Sequence, residues 1–173
     1  PEQLLRLLAY KEDSVFLEKL AKVKQRNKQA VAGYIQQKYG VALDCDSVFH
    51  LQIKRIHGYK RQLLSGLYLL QLYYTLKENP GISLEPATFI FAGKAAPGYV
   101  LAKETIRFLS QLSALINRDP QVSGRLRVFF LENYNVALGE LLFPAAEISE
   151  QLSTASREAS GTGNMKAMMN GAV

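Results

Sequence analysis

The sequence predicts an α/β domain built on a doubly wound, mostly parallel sheet. Three short apolar runs are each followed by a helical pattern, and parallel neighbours need a crossover that a helix supplies. The run at 128–131 is apolar throughout, which fits a strand buried on both faces. With 173 residues, 48% of them hydrophobic and 21% charged, the chain fits one domain with a real core.

A long amphipathic helix comes first. Apolar residues recur at helical spacing from Phe16 to Ile35, Asp13 or Ser14 can cap its start, and Gly40 suits its end. The other face is basic, and we interpret it as a solvated face rather than a nucleic-acid stripe. Its basic residues are Lys19, Lys22, Lys24, Arg26 and Lys28.

Three strand and helix units follow these leading helices. We therefore divide the single domain segment 1–173 into leading helices at 1–46 and βα units at 47–173, with no linker inside it. Pro80 and Gly81 stop the helix of the first unit. The predicted strand and helix ranges are 48–53 with 63–76, 88–92 with 99–116, and 126–131 with 136–143.

Composition narrows the functional classes. The 21 Lys and Arg against 15 Asp and Glu give a net charge of +6, which favours an anionic ligand. No apolar stretch approaches the roughly 18 residues of a membrane span. The single Cys45 cannot form an internal disulfide and no secretory signal pattern precedes it, so we expect a cytoplasmic protein. We predict no metal site, and the start at Pro1 rather than Met suggests a piece of a longer chain.

A basic segment stands directly after the first predicted strand. Ligands of doubly wound sheets bind at the carboxyl ends of the strands, so such a segment is well placed for one. Arginine, lysine and the N-terminus of the following helix are usual phosphate ligands. The segment is either a phosphate site or a solvated charged turn. Its cations are Lys54, Arg55, Lys60 and Arg61, with His57 between them.

The next two strand ends carry weaker signals. The loop 93–99 is rich in small residues, which let backbone approach either a ligand or another loop closely. It lacks the Lys and Ser or Thr of a nucleoside triphosphate loop. After the third strand, Tyr134 and Asn135 could line a flat ligand or cap the helix that follows.

The segment from Glu158 to Lys166 is the most informative. Gly161, Thr162 and Gly163 can turn backbone N–H groups toward a phosphate, and Lys166 lies one turn inside the helix that they begin. Met and Ala neighbours place that lysine in apolar company, where desolvation would lower the pKa of the amine and favour attack on an aldehyde. Together these features predict pyridoxal phosphate, and the alternative is a surface lysine on a capped helix.

Four ordered blocks then resemble the α-glucan phosphorylases that act on glycogen, starch and maltodextrin. The blocks are 54–64, 93–99, 144–151 and 158–166, and the resemblance is weaker over the leading helices. It implies the Rossmann-like C-terminal half of a two-domain GT-B glycosyltransferase fold, incomplete in this chain. It also implies a homodimeric full-length enzyme and a fragment that is inactive alone, because a single domain leaves its strand ends open to water.

The resemblance implies phosphorolysis of a terminal α-1,4-linked glucose to glucose 1-phosphate with retained configuration. Pyridoxal phosphate would be the cofactor, with its phosphate as a proton relay to the substrate phosphate. The implied roles are Schiff-base formation by Lys166; cofactor phosphate binding by Gly161, Thr162, Gly163 and Lys54; substrate phosphate binding by Arg55 and Lys60; glucose binding by Glu158, Ser160 and Gly161; and cofactor flanking by Tyr134 and Asn135.

The sequence departs from the family pattern at a few positions. Gly58 replaces an acidic residue, Ser156 and Arg157 replace a more usual pair, and Asn135 stands where some relatives have a basic residue. Two rival functions remain at this point. A basic nucleic-acid-binding module would bind with a steep salt dependence. A pyridoxal-dependent aminotransferase or decarboxylase would need an acidic partner for the ring nitrogen.

Overall fold

The computed structural model describes residues 2–158 and 161–173. Within them lies one four-stranded sheet, all parallel, in the order β3-β2-β1-β4. The predicted fold class is confirmed, and β1 pairs with β2 over six positions from Val48↔Ala87 to Ile53↔Ala92. The strands are β1 (Val48–Ile53), β2 (Ala87–Ala92), β3 (Leu126–Leu131) and β4 (Ile148–Ser149).

Helices cover both faces of this sheet, and those predicted from periodicity are confirmed within two residues at each end. A nine-residue 3-10 helix spans Glu2–Tyr10, and single 3-10 turns are found at Gly58–Lys60 and Phe143–Ala145. The α-helices are α1 (Ser14–Tyr39), α2 (Gln62–Glu78), α3 (Val100–Arg118), α4 (Val136–Leu142) and α5 (Gly163–Met169).

The ends of α1 follow from single residues. The Asp13 carboxylate accepts a hydrogen bond from the Phe16 N–H at 3.0 Å, which satisfies one of the donors left over at a helix start. Gly40 ends the helix at φ 70°, a left-handed conformation that costs glycine little. Both caps are the residues that the sequence predicts.

The core lies in two layers, one on each face of the sheet. On one face, Val31 and Ile35 of α1 pack with Phe49 of β1 and with apolar residues of α4 and α5. On the other, Leu69 of α2 and Leu109 of α3 pack over β2 and β3. All six residues of β2 are buried, as expected of a central strand covered from both sides. This arrangement leaves the carboxyl ends of the strands as the open edge.

The interpretation of the basic face of α1 as solvated is wrong for two of its five members. Lys28 is only 2% exposed, and its Nζ donates to the Ser47 carbonyl and to the Glu147 carboxylate, both at 2.8 Å. Lys24 is half-buried against main-chain carbonyls of distant segments. The other members, such as Lys22, are exposed as predicted. Hydrogen bonds offset the cost of burying the two ammonium groups.

One strand lies outside the three predicted units. Two residues of β4 pair with β1, as His50↔Ile148 and Leu51↔Ser149. The pairing continues the sheet on the side opposite β3, and it brings the segment after β4 toward the end of β1. Over the described residues, no helix combines the length and the apolar character needed to cross a bilayer.

Candidate functional site

A cleft of about 350 Å³ opens at the carboxyl ends of β1 and β2. It brings together residues that the sequence places more than 100 positions apart, because parallel strands all end at one edge. Six residues predicted to bind phosphate or cofactor line it, while Glu158, Lys60 and Gly161 stand outside its lining. The lining residues are Ile53, Lys54, Arg55, Gly93, Lys94, Tyr134, Phe143, Thr162, Gly163 and Lys166.

The loop after β2 is hydrogen-bonded to the backbone around Lys54. The Lys54 N–H donates to the Ala92 carbonyl, and the Ile56 N–H donates to the Lys94 carbonyl, both at 3.1 Å. Gly93 is buried between these two bonds, directly against the Lys54 backbone. Of the two roles predicted for this small-residue loop, the structure shows close approach to another loop.

Glu158 joins two of the predicted phosphate ligands. Its carboxylate accepts from Lys60 Nζ at 2.5 Å and from Lys54 Nζ at 3.4 Å. Ser153 Oγ also donates to it, a partner that no motif in the sequence indicates. Partial burial favours a higher pKa for Glu158, but the hydrogen bonds from Lys60 and Ser153 and the two lysine charges outweigh it and lower the pKa to about 2. The carboxylate is therefore ionised at neutral pH.

Lys60 titrates in the opposite direction. Burial by itself would lower the pKa of this ammonium, but the hydrogen bond and charge of Glu158 raise it above its usual value. Lys54 and Lys60 thus stand as two ammonium groups held by one carboxylate, at the end of β1. Only folding brings this carboxylate to the lysines, since 98 positions separate Lys60 from Glu158.

The segment that carries Glu158 is tied down by the basic turn itself. Arg61 adopts a left-handed backbone with φ 59°, and its Nε donates to the Leu152 carbonyl. The Thr154 N–H donates to the Tyr59 carbonyl at 2.8 Å. Arg61 therefore tethers a neighbouring segment, whereas Arg55 is exposed and lines the cleft.

The expectation that Lys166 is desolvated by its neighbours is wrong for the described chain. Its side chain is exposed, and so are Met165, Met168 and Met169, at 47%, 68% and 75%. Only Ala167 of this run is buried, since successive helical residues point in different directions.

Position rather than burial marks Lys166 in this structure. The residue lines the cleft and also an adjoining cavity of about 660 Å³. Its Nζ lies 5.8 Å from the centre of the Phe143 ring, within reach of a cation–π contact. An exposed amine at the mouth of two cavities is accessible to an aldehyde.

Tyr134 and Asn135 divide the two roles that were left open for them. Asn135 caps α4, because its Oδ1 accepts from the Leu138 N–H at 3.0 Å. Its Nδ2 donates to the Asn133 carbonyl at 3.2 Å, so the carboxamide is engaged in local structure. Tyr134 is half-buried and lines both cavities, and burial raises the pKa of its phenol.

The residues of the cleft fit pyridoxal phosphate. The donor set contains an accessible amine on Lys166, the cations of Lys54 and Arg55, and the aromatic wall of Tyr134. A phosphate needs the cations, an aldehyde needs the amine, and a flat ring needs an aromatic or apolar wall. Ser160, predicted to bind glucose, lies outside the described residues.

Comparison with known proteins adds an independent observation. The family model described as carbohydrate phosphorylase matches residues 1–173. The muscle form of glycogen phosphorylase from Oryctolagus cuniculus is 50% identical over 172 residues, which cover 99% of this chain and 20% of that protein. The muscle form from Mus musculus is 49% identical with the same coverage. The glycogen phosphorylase of Bacillus subtilis is 49% identical over 173 residues, covering 100% of this chain and 22% of that protein. The chain spans about a fifth of the length of these relatives.

Proposed function

Because the chain belongs to the carbohydrate phosphorylase family, we propose that it binds pyridoxal phosphate and inorganic phosphate as part of a longer glycogen phosphorylase. The reaction would release glucose 1-phosphate from a terminal α-1,4-linked glucose with retained configuration. The convergence of Lys54, Arg55 and Lys166 on one cleft carries the proposal. Two adjacent cations and an accessible amine more than 100 positions away meet where a doubly wound sheet binds its ligands.

Lys166 would bind the aldehyde of the cofactor covalently, and Thr162, Gly163 and Lys54 would hold its phosphate. When bound, pyridoxal phosphate would supply a phosphate group for proton exchange with the substrate phosphate. Tyr134 lines the same cleft and would form the wall on one side of the cofactor ring. Asn135, whose carboxamide caps α4, would contribute to the cofactor site through its position in the wall of the adjoining cavity.

Arg55 and Lys60 would hold the substrate phosphate. Two phosphates side by side repel one another, and each nearby cation offsets part of that repulsion. Glu158 pairs with both Lys60 and Lys54. The cation assigned to the substrate phosphate is therefore held close to the cation assigned to the cofactor phosphate. The ionised Glu158 is an acceptor, which suits glucose hydroxyl donors, and Ser160 and the backbone at Gly161 would share this role. The homodimeric state and the cytoplasmic location expected from the sequence stay predictions.

The test uses the full-length protein. Borohydride reduction followed by peptide mass spectrometry should find a pyridoxyl adduct on Lys166, and Lys166→Ala should abolish it. Lys103→Ala, an exposed lysine on α3, is the matched control and should leave the adduct in place. An adduct on another lysine, or its survival in Lys166→Ala, would contradict the assignment.

A second measurement separates a phosphorylase from other pyridoxal enzymes. The full-length protein should release glucose 1-phosphate from glycogen or maltodextrin only when inorganic phosphate is present. Amino-group transfer without phosphorolysis would instead support the aminotransferase alternative. The nucleic-acid alternative predicts no adduct at all, and the inward direction of Lys24 and Lys28 removes two of the cations that it depended on.

A further inference from the structure

The half-buried Lys24 ammonium contacts three main-chain carbonyl groups. Its Nζ donates to the carbonyl oxygens of Pro144 at 3.0 Å, Ala146 at 2.7 Å and Asn170 at 2.8 Å. An ammonium group has three N–H donors, so all of them are used, and each goes to a main-chain oxygen. Burial lowers the pKa of this amine, partly opposed by the charge of Glu147.

The three oxygens belong to the two segments that bracket Lys166. Asn170 caps the end of α5, and its Nδ2 donates back to the Lys166 carbonyl at 2.8 Å. Pro144 belongs to the 3-10 turn that starts at Phe143, and Ala146 follows that turn. Three carbonyl dipoles that point at one spot repel one another unless a cation stands there. The Lys24 charge therefore fixes the end of α5 against this turn.

Both segments also form the walls of the larger cavity. Phe143 and Pro144 line one side of it, and Lys166 and Asn170 line another. The distance between the Lys166 amine and the Phe143 ring depends on how these two segments are joined. Lys24 of α1 adds a link between them from more than 115 positions earlier in the chain, beside the main-chain hydrogen bonds that join Val173 to Glu147 and Ser149.

We propose that Lys24 is a positioning residue that sets the direction from which Lys166 enters the cofactor cleft. The proposal rests on the proposed function, since it concerns the approach of Lys166 to the aldehyde of pyridoxal phosphate. Lys24 itself does not line the cleft and takes no part in the chemistry. It acts through the main chain of α5, because a small displacement of a reacting group has a large effect on rate.

The experiment compares Lys24→Met with Lys24→Arg in the full-length protein. Methionine keeps the apolar stem and removes every donor, whereas arginine keeps a charge and several donors. The cofactor is removed, pyridoxal phosphate is added back, and the rate of adduct formation on Lys166 is followed by borohydride trapping and mass spectrometry. We expect Lys24→Met to slow the adduct by about tenfold or more and Lys24→Arg to recover part of the rate.

Two controls separate positioning from general loss of stability. Lys22→Met removes an exposed lysine of the same helix, which pairs with Glu18, and should leave the rate unchanged. Ser113→Ala removes one hydrogen bond to the Val128 carbonyl, on the far side of the sheet. If Ser113→Ala lowers the melting temperature and slows the adduct as much as Lys24→Met does, the positioning role is overturned.

The remaining outcomes are also decisive. An adduct that forms as fast in Lys24→Met as in the unaltered protein overturns the positioning role alone. Absence of any adduct on Lys166 in the unaltered protein overturns the proposed cofactor site, and this inference with it. If Lys24→Met does not fold, Lys24→Gln, which keeps two donors, takes its place with the same expected slowing.

Discussion

A Cβ atom on residue 93 would stand 1.9 Å from the carbonyl oxygen of Lys54, so only glycine fits between the end of β2 and the Lys54 backbone. The same Cβ would lie 3.2 Å from the Ile56 side chain. Gly93 therefore allows the residues on either side of it, at the end of β2 and in the following loop, to accept hydrogen bonds from the Lys54 and Ile56 N–H groups. The cations of the cleft depend on this close approach of two main chains.

We expect Gly93→Ala to displace Lys54 and to lower the free energy of unfolding by about 1–3 kcal/mol, the usual cost of overpacking a buried site. The affinity for pyridoxal phosphate, whose phosphate Lys54 would hold, should fall as well. Gly98→Ala in the same loop is the control, because a Cβ there meets nothing within 4 Å. Urea unfolding and titration with pyridoxal phosphate of both variants give the comparison, and equal behaviour of the two would show that the close approach is unimportant.

A second prediction concerns the edge of the sheet at β3. The Asn117 side chain donates to the Val128 carbonyl at 2.7 Å and accepts from the Val128 N–H at 3.1 Å, so it replaces a neighbouring strand at this residue. Asn117→Ala leaves the Val128 N–H without that partner, which should lower the free energy of unfolding by about 1–3 kcal/mol. Gln111→Ala, exposed on the same helix, should change it by less than about 0.5 kcal/mol. Urea unfolding measures both, and similar values would refute the edge role.

The fold was predictable because its signals are local. The apolar runs at 48–53 and 126–131 and the caps of α1 act over a few residues, and the structure confirms them. The alternation of strand and helix then leaves few possible topologies. The position of the cleft follows from that topology, since the strand ends of a parallel sheet lie together.

The errors come from contacts that local pattern does not contain. A hydrophobic periodicity assigns Lys24 and Lys28 to the solvated face because both are charged. The structure buries them because Lys24 finds its acceptors about 120 positions away and Lys28 finds one just before β1. Lys166 has apolar neighbours in sequence that point elsewhere in space. β4 is two residues long and therefore too short for an alternation to be detected.

A third prediction tests the roles of Arg55, which is exposed, and Lys60, which is half-buried. Arg55→Ala or Lys60→Ala should reduce kcat/KM for phosphate by the equivalent of about 2–4 kcal/mol, as is typical when a donor to a reacting group is lost. The pyridoxyl adduct on Lys166 should persist in both variants, because neither residue is assigned to the aldehyde. Steady-state kinetics with phosphate and glucan varied separately make the measurement, with Lys103→Ala as the control. A change confined to the KM for glucan would contradict the assignment.

The fourth prediction follows from the ionisation of Glu158. Its pKa lies at about 2, below its usual 4.5, because the ion pairs with Lys60 and Lys54 and the bond from Ser153 outweigh partial burial. A carboxyl whose pKa is lower in the folded state contributes stability that is complete above 4.5 and is lost as the pH falls toward 2. Glu158→Gln removes that contribution, so the unaltered protein should be more stable than the variant near neutral pH, and the difference should shrink on acidification through this range. Urea unfolding of both proteins at several pH values measures it, and Glu85→Gln, at an exposed position, should show a much smaller difference. If the difference in free energy of unfolding between the two proteins stays constant with pH, the two lysines do not lower the pKa of Glu158.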